Sequence, residues 1–278
     1  MNTSALDRSP WPMAYTREVH FSCGHRYHSP LLSEEENQKV FGEDYSPHGL
    51  GHNFVLRAQI LADLEPKEFH SQLKAVSELL DHRFLNEDVE RFQRTVPTAE
   101  NIAVFLFPQL KERLSSGVEL IGVHLKESRD FWVDFWGDSK EGRPVVDLSR
   151  RYWINCLHRH HNPDLSMEEN QALYHKCSAV HGHEYKVELT LEGVVDPVTG
   201  LVLPRWELDQ LVKKTLIDPY HGQFLNDHLG NTSGEIIAEK FYAQLKAKWP
   251  EHFPKLKRLT LRETKKNSFF KLSTELER

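Results

Sequence analysis

Several features that mark other protein classes are scarce in this chain of 278 residues. Cysteine occurs three times, at Cys23, Cys156 and Cys177, which is too few for a disulfide framework and fits a reducing compartment. The longest clean apolar run, residues 102–107, is far shorter than the ~20 residues that a membrane-spanning helix needs. A basic excess is also absent, since 35 Lys and Arg face 41 Asp and Glu and the net charge is −6. The sequence therefore predicts neither a nucleic-acid partner nor a membrane partner.

The beginning of the sequence, residues 1–8, lacks the basic start and apolar stretch of a secretory signal, so we expect a cytoplasmic protein. Gly-rich phosphate loops and Ser-His-Asp nucleophile signatures are missing, which argues against a nucleotide hydrolase. Hydrophobic residues make up 39% of the chain, which is ample for a packed core. Histidine is the abundant residue, with 17 copies.

Internal repetition determines the predicted number of domains. Residues 21–26 (FSCGHR) match residues 154–159 (INCLHR) at an offset of 133, and residues 33–38 match residues 166–171 at the same offset. Further along the chain the offset drifts in small steps, as loop insertions in a duplicated domain would produce. Two copies of one domain are therefore predicted, joined by a polar stretch that contains Gly and Pro.

Secondary-structure patterns place each copy in the α+β class. We predict the first repeat over residues 15–136 and the second repeat over residues 150–275. Residues 185–191 alternate apolar and polar side chains with a period of two, as a half-buried strand does. Helices follow in each repeat, with Thr98 and Thr232 as predicted N-caps. The expected fold is a mostly antiparallel sheet with helices on one face.

The sharpest chemical pattern lies in the second repeat, where His181-Gly-His183 leads into a predicted strand. Residues two apart on a strand project from the same face, so both imidazoles can bind one metal ion. His158, on the neighbouring predicted strand, would supply a third nitrogen and leave an open position for substrate, as in catalytic zinc sites. The alternative is that a chain with 17 histidines brings some of them together by chance.

Further motifs accompany these histidines. Cys177 comes shortly before His-Gly-His, and residues 81–86 contain an Asp-His followed by Leu-Asn. Residues 98–101 are Thr-Ala-Glu-Asn, and Glu127 and Glu263 lie late in the first and second repeats. In this combination each repeat resembles the 6-pyruvoyl-tetrahydropterin synthase and 6-carboxy-tetrahydropterin synthase family. Together the two repeats carry the resemblance over nearly the whole chain.

The resemblance implies a fold, an assembly and an activity. The fold is a ββααββ tunnelling-fold domain, present here in tandem. Family members join three domains into a barrel and stack two barrels, which for this chain implies a homo-oligomer, a trimer of tandem chains forming two stacked barrels. The implied activity is that of a zinc-dependent lyase whose substrate is the small molecule 7,8-dihydroneopterin triphosphate.

The resemblance also assigns roles to residues, and neither repeat has the complete set. In the second repeat it assigns the three zinc ligands to His158, His181 and His183. It assigns the catalytic thiol to Cys177 and the pterin-binding carboxylate to Glu263. The Asp-His motif is missing from this repeat, since His221 and Gly222 occupy its positions.

In the first repeat the resemblance assigns an acid–base pair and three substrate-binding residues to Asp81, His82, Glu127, Glu100 and Thr98. Asp44 replaces the thiol and Leu50 replaces one zinc histidine, which leaves His25, His52 and a displaced His48 as a poor metal site. The losses in the two repeats are complementary, which predicts one composite site built from both domain types.

Two products and one non-catalytic alternative remain open. The reaction forms either 6-pyruvoyl-tetrahydropterin or a 6-carboxy product on the route to deazapurine nucleosides such as queuosine. Three residues separate Cys177 from His181, a spacing similar to that of the 6-carboxy branch. The alternative from another class is a pterin-binding or scaffold protein with a degenerate site, which the replacements Asp44, Leu50 and Gly222 favour.

Overall fold

The computed structural model describes residues 13–63 and 66–273, and its chain divides into two compact units. The first unit contains the residues up to Leu148 together with Gly193–Pro204. The second unit contains Ser149–Glu192 and the residues from Arg205 onward. Residues 274 and 275, the last two of the predicted second repeat, lie outside the described residues.

The first unit is built on an antiparallel sheet with helices beside it. Its strands and helices are β1 (Met13–His25), α1 (Glu34–Phe41), β2 (Leu50–Ala62), α2 (Phe69–Ser77), α3 (Leu85–Asp88), α4 (Ala99–Lys111), β3 (Glu119–Ser128), β4 (Phe131–Phe135) and β5 (Ser139–Lys140). The sheet order is β1-β2-β3-β4, and each pair is antiparallel. Helix α2 contacts β1, and α4 contacts β3 and β4.

Helix α4 shows why these residues form their element. Thr98 is its N-cap, and the side-chain oxygen of Thr98 accepts a hydrogen bond from the Asn101 N–H, as predicted. Ile102, Leu106 and Leu110 are spaced four apart, so they share one face and are fully buried. This face attaches the helix to the sheet.

The second unit repeats the arrangement. Its elements are β6 (Arg143–His158), which begins in the first unit, α5 (Met167–Tyr174), β7 (His181–Val194), α6 (Arg205–Val212), α7 (Asp218–Tyr220), α8 (Leu225–Leu229), α9 (Gly234–Ala247), β8 (Lys255–Arg262) and β9 (Ser268–Leu272). The strand order is β6-β7-β8-β9, with β7–β8 and β8–β9 antiparallel. The prediction of antiparallel sheets with helices is confirmed.

Local irregularities recur at matching positions and support the duplication. The β2–β3 register shifts between Gln59 and Ile60, and the β7–β8 register shifts between Thr190 and Leu191, which lie 131 residues further on. Helices α1 and α5 both begin with a capping box, on Ser33 and on Ser166. Bulges and caps are set by local sequence, so their recurrence reflects one ancestral domain pattern.

The structure corrects one predicted N-cap and shows a short strand in the predicted joint between the repeats. The N-cap of α9 is Ser233 and not Thr232, whose carbonyl instead accepts a bond from His158. The polar stretch predicted as a joint contains β5, which pairs with the start of β6 between Ser139 and Pro144.

Among the described residues, none of the helices is long and apolar enough to cross a membrane. A cytoplasmic location stays a prediction.

Candidate metal centre and its counterpart in the first repeat

Three histidines of the second unit form a compact group of ligands. His158 ends β6, and His181 and His183 begin β7, where alternation puts both rings on one face. One ring nitrogen from each lies within 4.8 Å of the other two. The ring centroids are 4.4–5.2 Å apart. Sequence spacing predicted this group, and the structure brings all three residues together.

The protonation state of His158 suits a metal ligand. The Thr232 carbonyl lies 3.0 Å from Nδ1 and therefore requires a proton there, which leaves the lone pair of Nε2 facing the group. Burial, with smaller contributions from the charges of His181 and His183, lowers the pKa of His158 to about 4. Burial also lowers the pKa of His183. Three imidazole nitrogens at this spacing fit zinc, which binds nitrogen ligands.

Glu263, the predicted pterin-binding carboxylate, lies next to the histidines. Its Oε1 atom is 3.7 Å from His158 Nε2 and 3.6 Å from His183 Nε2, and its side chain is 11% exposed. Tyr185, which sequence reasoning missed, has its hydroxyl 3.1 Å from His158 Nε2 and 3.4 Å from Glu263 Oε1. Burial and the Glu263 charge raise the pKa of Tyr185, so its hydroxyl stays protonated. Its position two residues after His183 was the available signal.

Cys177 is not one of the ligand groups that lie within 4.8 Å of one another. It lies half-buried in a short 3₁₀ turn, His175–Ser178, and its carbonyl accepts a 2.8 Å hydrogen bond from the His160 N–H. This bond ties the turn to the end of the strand that carries His158. Burial raises the pKa of Cys23 and Cys156 to about 12, so neither of those thiols supplies a thiolate at neutral pH.

The predicted acid–base pair of the first repeat is assembled. Asp81 Oδ1 accepts a 2.9 Å hydrogen bond from the Ser22 N–H, and Oδ2 lies 2.9 Å from His82 Nδ1. The bond from Ser22, followed by the interaction with His82, lowers the pKa of Asp81. The ring of His82 is 84% exposed, and its backbone has a φ of 55°. An ionised carboxylate on Nδ1 orients the imidazole and leaves Nε2 available for proton transfer.

A similar pocket lies beside the strands in each repeat. In the first, a space of about 400 Å³ is lined by Cys23, His52 and His82, among others. In the second, a space of about 400 Å³ is lined by the corresponding Cys156 and His183, together with Gly222. The second-repeat pocket therefore has a candidate metal ligand, His183, in its wall, but Gly222 stands where the first repeat has the imidazole of His82.

The first repeat keeps only part of the metal site. His25 and His52 have ring centroids 5.0 Å apart, and His25 Nδ1 lies 2.8 Å from the Pro97 carbonyl, as His158 does from Thr232. Within residues 13–63 and 66–273, three ligand groups come together only at the second-repeat histidines. The predicted substrate-binding residues Glu127, Glu100 and Thr98 are all buried in the first unit.

The fold is that of a duplicated α+β protein, and its described residues include one group of three histidine nitrogens that could hold a metal ion. The family model described as 6-pyruvoyl tetrahydropterin synthase matches residues 14–138 and again residues 147–272. The chain belongs to this family and carries its domain twice.

Individual relatives match one repeat at a time. A 6-pyruvoyl tetrahydrobiopterin synthase of Pongo abelii is 34% identical over 134 residues, covering 44% of this chain and 90% of the relative. A putative 6-carboxy-5,6,7,8-tetrahydropterin synthase of Archaeoglobus fulgidus is 30% identical over 91 residues, covering 30% of this chain and 72% of the relative. The solved structure of Caenorhabditis elegans 6-pyruvoyl tetrahydropterin synthase shares 31% identity at a TM-score of 0.42, over 46% of this chain and 96% of that one.

Proposed function

We propose that the chain is a zinc-dependent lyase that converts 7,8-dihydroneopterin triphosphate into 6-carboxy- or 6-pyruvoyl-tetrahydropterin. The observation that carries the proposal is the group of three histidine nitrogens within 4.8 Å of one another, with Glu263 beside them. Membership of the family supports lyase activity of the tetrahydropterin synthase type. Zinc held by these histidines would act as a Lewis acid on the oxygens of the substrate side chain.

The protein's own groups would then bind the pterin and move protons. Glu263 would accept two hydrogen bonds from the amino group and ring N–H of the pterin, a bidentate match for a carboxylate. Cys177, as a thiolate, would remove the carbon-bound proton next to the developing carbonyl. His82 would carry the proton, with Asp81 orienting and stabilising its protonated ring.

The complete site would draw on both repeats. The second repeat has the histidine group and Cys177 but Gly222 in place of the proton carrier, whereas the first has His82 but Asp44 in place of the thiol. Complementary losses of this kind support one composite site per chain, completed within a chain or between chains of a homo-oligomer. The oligomer we propose is three tandem chains in two stacked barrels. Substrate binding by Glu127, Glu100 and Thr98 stays a prediction.

The experiment that tests this function measures zinc content and product on the same sample. We expect about one zinc per chain, and turnover of dihydroneopterin triphosphate with loss of triphosphate. Mass spectrometry of the pterin product separates the 6-carboxy from the 6-pyruvoyl reaction, and the Cys177–His181 spacing favours the 6-carboxy product. Tight pterin binding without turnover would instead support the non-catalytic alternative.

A further inference from the structure

A segment that follows β7 is buried against residues of the first repeat. Residues Gly193–Pro204 belong to the first unit, although they come from the second half of the sequence. Leu201, at 5% exposure, forms one buried cluster with Tyr27, Phe41 and Val96. Burial of the leucine side chain in this apolar cluster is stabilising, so the contact holds the segment in place.

The main chain on either side of Leu201 is bound by two of the predicted substrate-binding residues. Thr98 Oγ1 donates a 2.6 Å hydrogen bond to the Gly200 carbonyl, and the Val202 N–H donates a 3.2 Å bond to Glu100 Oε1. Thr98 and Glu100 are both fully buried. Buried polar groups of this kind stabilise a structure only where partners satisfy them, and here the partners are backbone atoms of the chain itself.

Hydrogen bonds within the segment hold its backbone in the conformation that makes this contact. Asp196 Oδ1 accepts hydrogen bonds from the N–H groups of Val198 and Thr199, at 3.0 and 2.8 Å. Gly200 has a φ of 73°, and a Cβ there would lie 2.5 Å from Asn101 Nδ2. A glycine is therefore required both for the turn and for the close approach to α4.

The carboxylate predicted to bind pterin in the first repeat is also engaged internally. The Tyr27 hydroxyl donates a 2.7 Å hydrogen bond to Glu127 Oε2, and the two residues are 1% and 2% exposed. Tyr27 also stacks on Phe41, with ring centroids 5.7 Å apart. A substrate amide edge would need the same carboxylate oxygen and the space that the tyrosine ring fills.

The second repeat differs at each of these positions. His160 replaces Tyr27 at the offset of 133, and Glu263, the counterpart of Glu127, is 11% exposed and faces the histidine group. Glu235 opens α9 as Glu100 opens α4, yet Glu235 is exposed. The two carboxylates that are buried in the first repeat are both more exposed in the second.

We propose that the first-repeat residues predicted to bind pterin, Thr98, Glu100 and Glu127, form a closed clamp for the chain's own segment 196–203, so that each chain binds pterin once, at the second repeat. Thr98 and Glu100 bind the backbone of the segment, Leu201 packs against Tyr27, and the Tyr27 hydroxyl binds Glu127. In the clamp Thr98, Glu100 and Glu127 do not bind substrate, contrary to the role that the sequence predicts for them. The statement about pterin stoichiometry rests on the proposed function, whereas the clamp does not.

The clamp is tested by hydrogen–deuterium exchange on the full-length protein. Glu100→Met removes the acceptor of the Val202 N–H and keeps the side-chain length, and Glu235→Met is the matched change in the second repeat. We expect the amides of residues 198–203 to exchange at least about tenfold faster in Glu100→Met and at the wild-type rate in Glu235→Met. Circular dichroism checks that both variants are folded. Unprotected amides in the wild-type segment, or equal effects of the two variants, would overturn the clamp.

A binding measurement on the zinc-loaded chain tests the stoichiometry, with neopterin as the probe. One equivalent per chain in the wild type, lost in Glu263→Gln, is the expected result. Two equivalents, or one equivalent that survives in Glu263→Gln, would show that the first repeat also binds pterin and would overturn the proposal. Absence of any neopterin binding would contradict the proposed function, and the exchange experiment would still decide on the clamp.

Discussion

The two repeats adopt the same backbone at the turn before Phe84 and Phe224 but place different residues there. His82 has a φ of 55° and Gly222 a φ of 75°, and each donates its N–H to a carbonyl of the first strand at 2.6 Å. A non-glycine residue in the left-handed region costs about 1–2 kcal/mol. The first repeat tolerates this strain because an imidazole at this position can pair with Asp81, which glycine cannot do.

At the end of the first helix of each repeat, the first repeat has a glycine and the second has a histidine. Gly42 ends α1 with a φ of 53°, whereas His175 ends α5 with a φ of 49° and a ψ of −127°. His175 lies two residues before Cys177. Each repeat therefore has a strained histidine at, or two residues from, a residue proposed to move protons, whereas Glu141, which also has a positive φ of 53°, lies in the turn between β5 and β6.

The largest effect expected from breaking this division is loss of the metal. His183→Ala removes one of three nitrogen ligands, and we expect zinc content to fall from about one per chain to near zero, with loss of turnover. His52→Ala, the matched change in the first repeat, should leave zinc content unchanged because His52 lacks a three-ligand group. Metal analysis after dialysis measures both, and equal zinc contents in the two variants would contradict the assignment.

The next effect concerns the groups that move protons. Cys177→Ala and His82→Ala should each lower kcat by about 10²–10⁴-fold, the range for loss of a general acid or base. Cys156→Ala is the control, since burial keeps that thiol protonated. Full activity in His82→Ala would contradict a composite site. Activity restored by mixing the two inactive variants would place the site between chains, and no restoration would place it within one chain.

A smaller effect is expected in the pH dependence of stability. His158 is buried, and its pKa of about 4 lies below its ordinary 6.5, so the folded state favours the neutral ring. The unfolded state takes up a proton first as the pH falls, so the metal-free protein should lose a few kcal/mol between about pH 6.5 and pH 4. Urea unfolding of EDTA-treated protein measures this loss. If a His158→Gln variant loses the same free energy of unfolding over this pH range, groups other than His158 cause the loss.

How much the sequence could predict also differs between the repeats. The histidine group was predictable because ligands two apart on a strand must share a face, and the strand pattern of residues 185–191 is clear. The Tyr27–Glu127 bond was not predicted, because it depends on which side chains meet across strands and loops. Tyr185 was missed although it lies two residues after His183, on the same face of the strand. The cap of α9 was misplaced by one residue since Thr232 and Ser233 are both good N-cap residues. In the structure the Thr232 hydroxyl instead donates a 2.9 Å hydrogen bond to the Arg159 carbonyl.

The smallest effect tests the strain itself. His82→Gly relieves the left-handed backbone but gives the unfolded chain more freedom, so we expect the free energy of unfolding to rise by only about 0.5–1 kcal/mol while activity is lost. Gly222→His is the reverse change. A Cβ at Gly222 would meet no atom within 4 Å, so sterics beyond the backbone do not interfere, and stability should fall by a similar amount. Urea unfolding of both variants gives the two values. A stabilising His82→Gly together with a destabilising Gly222→His would show that His82 lowers the stability of the first repeat. Destabilisation by both changes would mean that the Asp81–His82 pair stabilises the fold by more than the backbone strain costs.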